Sequence, residues 1–475
     1  MAGRESSEAI LRPKLAKCPT GIRGLDEITN GGLPRGRPTL VCGGAGCGKT
    51  LLGMEFIVRG AVEYGEPGVF MSFEEGVEEL IQNMASLGFE LEDLKEKRKI
   101  FLDFVFIERH EIEETGEYDL EGLFIRLASA VDAIGAKRVV LDTIEALFAG
   151  LPNELILRSE LRRLFRWLKD KGLTTVVTGE KGRGALTRHG IEEYVSDAVI
   201  VLDHRIFNQI ATRRLRLIKY RGSLHWADEY PFMIDENGIA IIPITSLSLD
   251  YAVSSERVST GVPYQDQMLG GGYYRGSSIL VSGTAGSGKS SLAGSFANDV
   301  CRRGERCLYM AFEESPAQII RNMRGIGLDL EPWVEQGLLK FHAARPTLYG
   351  LEMHLAMICK LTDELKPSAV IMDPVTNLSI TAGPREVKSM LMRLVDFLKN
   401  RQITTLLTHL SHPGEVETTT MGISSLMDTW MLVLYRESTG QRRRVLHILK
   451  SRGMGHSSRM TEFTITDQGI KLVEV

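Results

Sequence analysis

The chain is written twice. A segment that begins at Thr20, TGIRGLDEITNGGLPRGRPTLVCGGAGCGKTLL, returns at Thr260 as TGVPYQDQMLGGGYYRGSSILVSGTAGSGKSSL, an offset of 240 residues that still holds at Lys49 and Lys289. FEE at Phe73 recurs at Phe312, and the apolar run ending in Asp142 recurs as the run ending in Asp373. LIKYRGSLH, ending at His225, recurs as ILKSRGMGH, ending at His456; by then the offset has drifted to 231, so only short loop changes separate the copies. A chain of 475 residues is too long for one ordinary core. A repeat of this length therefore demands two similar domains.

Within each copy, short Val/Ile/Leu runs alternate with amphipathic helical stretches. RPTLVCGG, GVFMSFEE, KRVVLDT and TTVVTGE read as buried strands, and RSELRRLFRWLKDKG carries apolar residues at helical spacing and ends in Gly. That order predicts an α/β fold, a mostly parallel sheet flanked by helices, built twice. The expected boundaries are a polar tail over 1–17, a first domain over 18–247, a linker over 248–258 and a second domain over 259–475. The Ser-rich, polar composition around the junction marks the linker.

GGAGCGKT (residues 43–50) and GTAGSGKS (residues 283–290) both match GxxxxGK[ST] between an apolar strand and a helical segment. Glycines let such a loop curl so that its N–H groups face phosphate oxygens. The expected nucleotide contacts are Gly46, Cys47, Gly48, Lys49, Thr50 and Leu51 in the first copy. In the second they are Gly286, Ser287, Gly288, Lys289, Ser290 and Ser291. Lys49 and Lys289 neutralise β/γ-phosphate charge, and the hydroxyls of Thr50 and Ser290 suit Mg²⁺. Cys47 has two readings, a small side chain in the cradle or a redox-sensitive thiol.

Asp142 and Asp373 end strands downstream, where such aspartates hold Mg²⁺ directly or through water; a strand-end cap is the plainer reading of each alone. Glu74-Glu75 and Glu313-Glu314 end the second strand of each copy, the end at which parallel sheets bind ligands. They read as carboxylates that orient or deprotonate an attacking oxygen, or as a solvated acidic helix start. Lys219, Tyr220, Arg221 and His225 recur as Lys450, Ser451, Arg452 and His456, and Arg213 as Arg444. The cations among them read as groups completing a neighbour's nucleotide site, or as a basic strand face for nucleic acid.

Composition narrows the classes. The net charge of −4 argues against a bulk nucleic-acid binder. No apolar run is long enough to span a bilayer and the N-terminus lacks a signal-type apolar stretch, so a cytoplasmic location is expected. None of the six cysteines has zinc-site spacing, and buried, reduced thiols are expected.

Taken together, the motifs resemble the RecA superfamily and, more closely, the KaiC family of circadian-clock ATPases. The resemblance runs from about Cys18 to Val475 and rests on the tandem P-loops, FEE twice, HGIEEYVSDAVIVL, LIKYRG, EYPFMIDENGI, AFEESPAQIIRN and FTITDQGI. It implies two tandem RecA-like P-loop domains, ATP and Mg²⁺ as cofactors, and a homohexameric double ring with ATP between neighbouring subunits. It further implies that Glu74 and Glu75 polarise water for hydrolysis, and that Glu313, with Glu314 beside it, acts as general base and Mg²⁺ ligand. Ser86 matches a nucleotide contact, and Lys219, Arg221, His225, Lys450, Arg452, His456 and Arg444 would reach the neighbour's nucleotide. The family's phosphoacceptor positions fall on Ser424 and Ser425, with a third on Thr419. At the 231-residue offset Ser424 aligns with Glu193 and Ser425 with Tyr194, so the second copy carries a hydroxyl where the first carries a carboxylate. A KaiB-like partner would dock on the first domain. The chain stops at Val475, shortly after GIKLVEV, which argues against control by KaiA through the family's longer C-terminal segment. The function expected is an ATPase and serine/threonine autokinase; the alternative is a RecA/helicase-type ATPase acting on nucleic acid.

Overall fold

The computed structural model describes residues 15–105, 121–148, 154–182, 186–187, 196–207, 210–225, 228–242, 252–411, 422–438 and 441–473. The chain divides into two compact units, one of Met1–Arg205 with Arg213–Pro243 and the other of Ile244–Val475 with Ile206–Thr212. Each unit is built on a nine-stranded sheet.

In the first unit the strands lie in the order Gly238–Ile241, Glu229–Asp235, Ile210–Tyr220, Ala198–Phe207, Pro38–Gly43, Thr174–Glu180, Arg138–Asp142, Gly68–Ser72 and Ile100–Phe104. From Ala198–Phe207 to Ile100–Phe104 every pairing is parallel. Glu229–Asp235 pairs antiparallel with Ile210–Tyr220 on one side and with Gly238–Ile241 on the other. The second unit repeats this with Ser278–Gly283 at the centre, flanked by Thr404–Leu410 and Thr429–Ser438 in parallel. The four runs picked out by their apolar residues are all strands, and Thr174–Glu180 coincides with its run end to end. The segment RSELRRLFRWLKDKG, up to its Asp170, lies in a helix that starts earlier, Glu154–Asp170.

Pro38–Gly43 and Ser278–Gly283 are buried at every residue, because helices cover both faces. The helix after the first cradle, Lys49–Glu63, buries Leu51, Leu52, Met54, Phe56, Ile57 and Val58 together. Full burial of such side chains contributes about 1.5–3 kcal/mol each. Glu55 on this helix is also buried; its carboxylate accepts the Ile239 N–H at 2.8 Å and the Arg59 Nε–H at 2.6 Å, so the helix is tied to the antiparallel edge. The six cysteines are buried thiols and none forms a disulfide, as expected. Among the described residues no helix is long and apolar enough to cross a membrane.

Short strands lie inside the segments read as tail and linker. Lys17–Cys18 pairs with Leu33–Pro34, and Arg257–Val258 with Tyr273–Tyr274. Both small ribbons need a glycine at the return. Gly32 has φ +117° and a Cβ there would lie 2.0 Å from the Cys18 carbonyl oxygen; Gly272 has φ +102° and would meet the Val258 oxygen at 2.2 Å. Gly32→Ala and Gly272→Ala are each expected to cost about 1 kcal/mol or more. Urea unfolding followed by domain-specific probes should show each change lowering the midpoint of its own domain.

Candidate functional site

Each cradle joins the carboxyl end of a central strand to a helix. Gly48 and Gly288 take left-handed N-cap conformations, φ 100° and 110°, and neither helix receives a side-chain cap bond. The first N–H groups of both helices therefore stay open to an anion, with the helix dipole in support. Gly46 and Gly286 also have positive φ and lie in the curl ahead of them. Lys49 Nζ donates to the carbonyls of Gly43 and Gly44 at 3.0 Å each, and Lys289 Nζ to that of Thr284 at 2.8 Å. Phosphate oxygens would take over these donors. Burial lowers the Lys289 pKa while the nearby Asp373 and Glu313 charges oppose it, so lysine and carboxylates share one site.

Cys47 and Ser287 turn inward and are fully buried. Burial raises the Cys47 thiol pKa, the reverse of what a reactive thiol needs. Leu51 is also buried, which leaves its backbone to line the helix start.

Asp142 ends its strand beside the cradle. One carboxylate oxygen accepts the Thr178 hydroxyl at 2.6 Å and the other the Thr50 hydroxyl at 2.9 Å. Thr50 and Asp142, the two oxygen donors expected for Mg²⁺, are thus in contact. A hydroxyl, a carboxylate and substrate phosphates suit a cation that keeps several waters. Burial raises the Asp142 pKa; the two hydroxyls and Lys49 pull it down, and Glu74 pushes it up. In the second domain Ala285, Gly286, Lys289, Ser290, Glu313, Glu314, Asp373 and neighbours line one pocket of about 200 Å³. Asp373 is held by the Tyr309 hydroxyl at 2.7 Å and by that of Thr408.

Glu74 and Glu313 are exposed, Glu75 and Glu314 half-buried. The half-buried member of each pair is tied to the following helix, Glu75 to Asn83 Nδ2 and Glu314 to Asn322 Nδ2 at 3.3 Å. A capping box starts the second of these helices, with Ser315 Oγ accepting the Gln318 N–H and Gln318 Oε1 accepting the Ser315 N–H. The outer glutamates, Glu74 and Glu313, are the ones left facing the open side. Ser86 is exposed just past the first helix, its hydroxyl on the Asn83 carbonyl at 2.7 Å.

The other predicted residues sit at the opposite edge of each sheet. Ile423–Leu426 is a single tight turn before the strand Thr429–Ser438, with Ser425 exposed and Ser424 half-buried. Lys450 Nζ donates to the Ser424 carbonyl at 3.0 Å and Arg452 to the Ser425 carbonyl at 2.8 Å. Ser451 points inward, sharing a hydrogen bond with the Thr429 hydroxyl at 2.9 Å, and Tyr220 is buried with its hydroxyl on the Gly32 carbonyl. Only the backbones of these two can face a ligand. Lys219, His225 and His456 are half-buried, and Arg221 is exposed and lies 4.0 Å from Asp197. Arg444 is the exception: its guanidinium lies 3.5 Å from the Gly286 carbonyl, at the cradle of its own chain.

The 231-residue offset is reproduced in three dimensions. Thr39 faces Ala198 and Ile279 faces Thr429; Arg221 N–H donates to the Asp197 carbonyl at 2.9 Å and Arg452 N–H to that of Asp428 at 2.8 Å. Thr419, Glu193 and Tyr194 lie outside the described residues. Sequence reasoning missed Tyr309 and Thr408, whose only signal was a polar residue inside an apolar strand.

Two cradles at the carboxyl ends of two mostly parallel sheets, each with a strand-end aspartate beside it, define a tandem RecA-like P-loop ATPase. The family model described as ATPase: KaiC matches residues 18–246 and again 258–475. The circadian clock protein KaiC2 of Synechocystis sp. is 58% identical over 465 residues, covering 97% of this chain and 82% of that protein. The circadian clock oscillator protein KaiC of Synechococcus elongatus is 37% identical, with 96% and 88% covered, and that of Prochlorococcus marinus (strain MIT 9313) 35%, with 96% and 92%. The chain belongs to the KaiC family and is a nucleotide-binding ATPase.

The Asp142 environment sets a pH-dependent test. Because its folded pKa is raised, the buried charge destabilises the nucleotide-free fold above that pKa, and the cost vanishes as pH falls toward the ordinary carboxylate range. Asp142→Asn should raise the unfolding temperature at neutral pH, by roughly 2–4 °C per kcal/mol relieved. The gap from wild type should close in acid, while first-domain ATP turnover falls on the order of a hundredfold.

Proposed function

We propose that the first domain hydrolyses ATP and that the second transfers the γ-phosphoryl group to Ser424 and Ser425 of an adjacent subunit. The observation that carries this reading is the separation of acceptor and cradle. Thr429 pairs with Ile279 at the amino end of the central strand, and the cradle begins at Gly283 at its other end. At about 3.3 Å per residue the length of that strand alone puts roughly 16 Å between the two edges. A hydroxyl at one edge cannot attack a nucleotide at the other edge of the same domain. Copies arranged head to tail bring the two edges together, and a closed ring of six satisfies every site.

In such a contact the serine hydroxyl oxygen bonds to the γ-phosphorus, its proton passes to the Glu313 carboxylate, and the β–γ bridging oxygen leaves with ADP. Lys289 offsets charge on the transferring group, and Lys450 and Arg452 arrive with the acceptor turn whose carbonyls they hold. Ser290 and Asp373 would hold Mg²⁺, which neutralises the phosphate oxygens. In the first domain Glu74 and Glu75 would orient water instead. The acceptors add roughly −1.5 to −2 charge each when phosphorylated, which suits the timing role named in the relatives. A KaiB-like partner on the first domain belongs to the same reading, and a pull-down with and without nucleotide addresses it.

Mixing two variants tests the transfer. Lys289→Ala chains keep their serines but lose the second cradle's cation; chains with both Ser424→Ala and Ser425→Ala keep the cradle but lose the acceptors. With Mg·ATP, phosphopeptide mapping should find label on Ser424 and Ser425 only in the mixture. Label on Lys289→Ala chains alone, or none in the mixture despite ATP turnover, would sink the proposal. Lys49→Ala should instead lower bulk ATP hydrolysis.

A further inference from the structure

The second cradle has a support that the first lacks. The strand Thr429–Ser438 runs beside the central strand until Val433 faces Gly283, then continues past the carboxyl edge, paired there with Gln441–Ser451. Tyr435, two residues beyond Val433, stands on this overhang opposite Arg444. Its hydroxyl donates to the Gly286 carbonyl at 2.6 Å. The ring is held in place by Arg442, whose guanidinium lies 4.1 Å from its centroid, with that of Arg444 at 5.5 Å. Gly286 sits at φ +70° and brings no side chain of its own to fix the loop.

A trans peptide points its carbonyl and its N–H in opposite directions. Holding the Gly286 carbonyl toward Tyr435 therefore turns the Ser287 N–H the other way, into the cradle. That N–H lies 3.4 Å from the Thr284 carbonyl, which also accepts the Lys289 ammonium at 2.8 Å, so the two donors converge on one spot. A phosphate oxygen placed there accepts both. At the 231-residue offset Tyr435 aligns with His204, two residues beyond Leu202, which faces Gly43. His204 is exposed, and among the described residues no side-chain hydrogen bond reaches the Gly46 carbonyl. A Cβ built on Gly46 would meet nothing within 4 Å, whereas one on Gly286 would meet the Tyr435 hydroxyl at 3.5 Å.

We propose that Tyr435 is a positioning residue of the second domain, which pins the Gly286–Ser287 peptide from outside the loop and so presets the Ser287 N–H for a nucleotide phosphate before the nucleotide arrives. The inference rests on the second cradle as a nucleotide site and is independent of the acceptor serines. Without the phenol hydroxyl this peptide turns freely, since glycine restricts its neighbours least. Part of the binding energy must then order it, and affinity falls by that amount.

Tyr435→Phe keeps the ring and its stacking against Arg442 and removes only the donor. The probe is a fluorescent, non-hydrolysed ATP analogue, N-methylanthraniloyl adenylyl imidodiphosphate, titrated with Mg²⁺ into the full chain; the second-domain site is the one that Lys289→Ala removes. Tyr435→Phe should raise the Kd of that site about three- to tenfold, the effect of about one hydrogen bond, and leave the other site unchanged. Amide hydrogen exchange over residues 283–290 should quicken in the nucleotide-free variant and return to the wild-type rate once the site is saturated. An unchanged second-site Kd overturns the proposal, as does equal weakening at both sites, which would mark an effect on the whole chain. Weaker binding with wild-type exchange in the nucleotide-free chain overturns it too, because the phenol would then act on the bound nucleotide and not on the loop. A wild-type chain with no site sensitive to Lys289→Ala would overturn the reading of the second cradle itself.

Discussion

A parallel sheet has a direction, and everything functional in this chain depends on it. Strands that all run one way put their carboxyl ends on one edge, where backbone leaves the sheet for loops and helix N-termini. Both cradles, both strand-end aspartates and both glutamate pairs lie there because each follows a strand. The residues that precede the strand beside the centre must then lie on the other edge. In the second domain those are Ser424 and Ser425, directly before Thr429–Ser438. No local rearrangement can bring them to their own cradle without reversing a buried strand.

The far edge is built as firmly as the near one. Asp428 accepts hydrogen bonds from both the N–H and the hydroxyl of Ser278, at 2.8 and 2.9 Å, and pairs with Lys399 at 2.6 Å. Asp197 holds the equivalent position in the first domain, paired with Lys169 at 2.5 Å, but it faces Pro38, which has no N–H or hydroxyl to donate. The Asp428 carboxylate pins the start of the strand, and the Asp428 backbone carbonyl, by accepting the Arg452 N–H, ties in the end of the returning strand. In the second domain the acceptor turn and the cations Lys450 and Arg452 are therefore one unit. On the proposed transfer between subunits, an adjacent copy that receives the cations receives the serines with them.

The two copies differ where a single hydroxyl changes the accounting of a buried carboxylate. Phe70 and Tyr309 hold equivalent register positions, and the second oxygen of the aspartate accepts the cradle hydroxyl in the first domain and the phenol in the second. A buried oxygen cannot be left without a donor at small cost. Arg444 is a similar case: its strand position equals that of Arg213, but its guanidinium comes to rest on the loop of its own chain.

By itself the sequence determined the repeat, the two phosphate cradles, the parallel core and the 231-residue register, because each is carried by local pattern: glycine spacing, apolar runs and their order. It also marked Glu74, Glu75, Glu313, Glu314, Asp142 and Asp373, since residues at strand ends are visible where an apolar run stops. What only the tertiary structure decided is which edge and which partner each side chain meets. Tyr309 and Thr408 converge on Asp373 from two different strands, and no spacing along the chain records that. Tyr220 and Ser451 sit among half-buried and exposed cations yet point into the core, because a strand alternates its faces. Hydrogen bonds between strands depend on which strands are neighbours, and in a crossover sheet neighbours in space are distant in sequence.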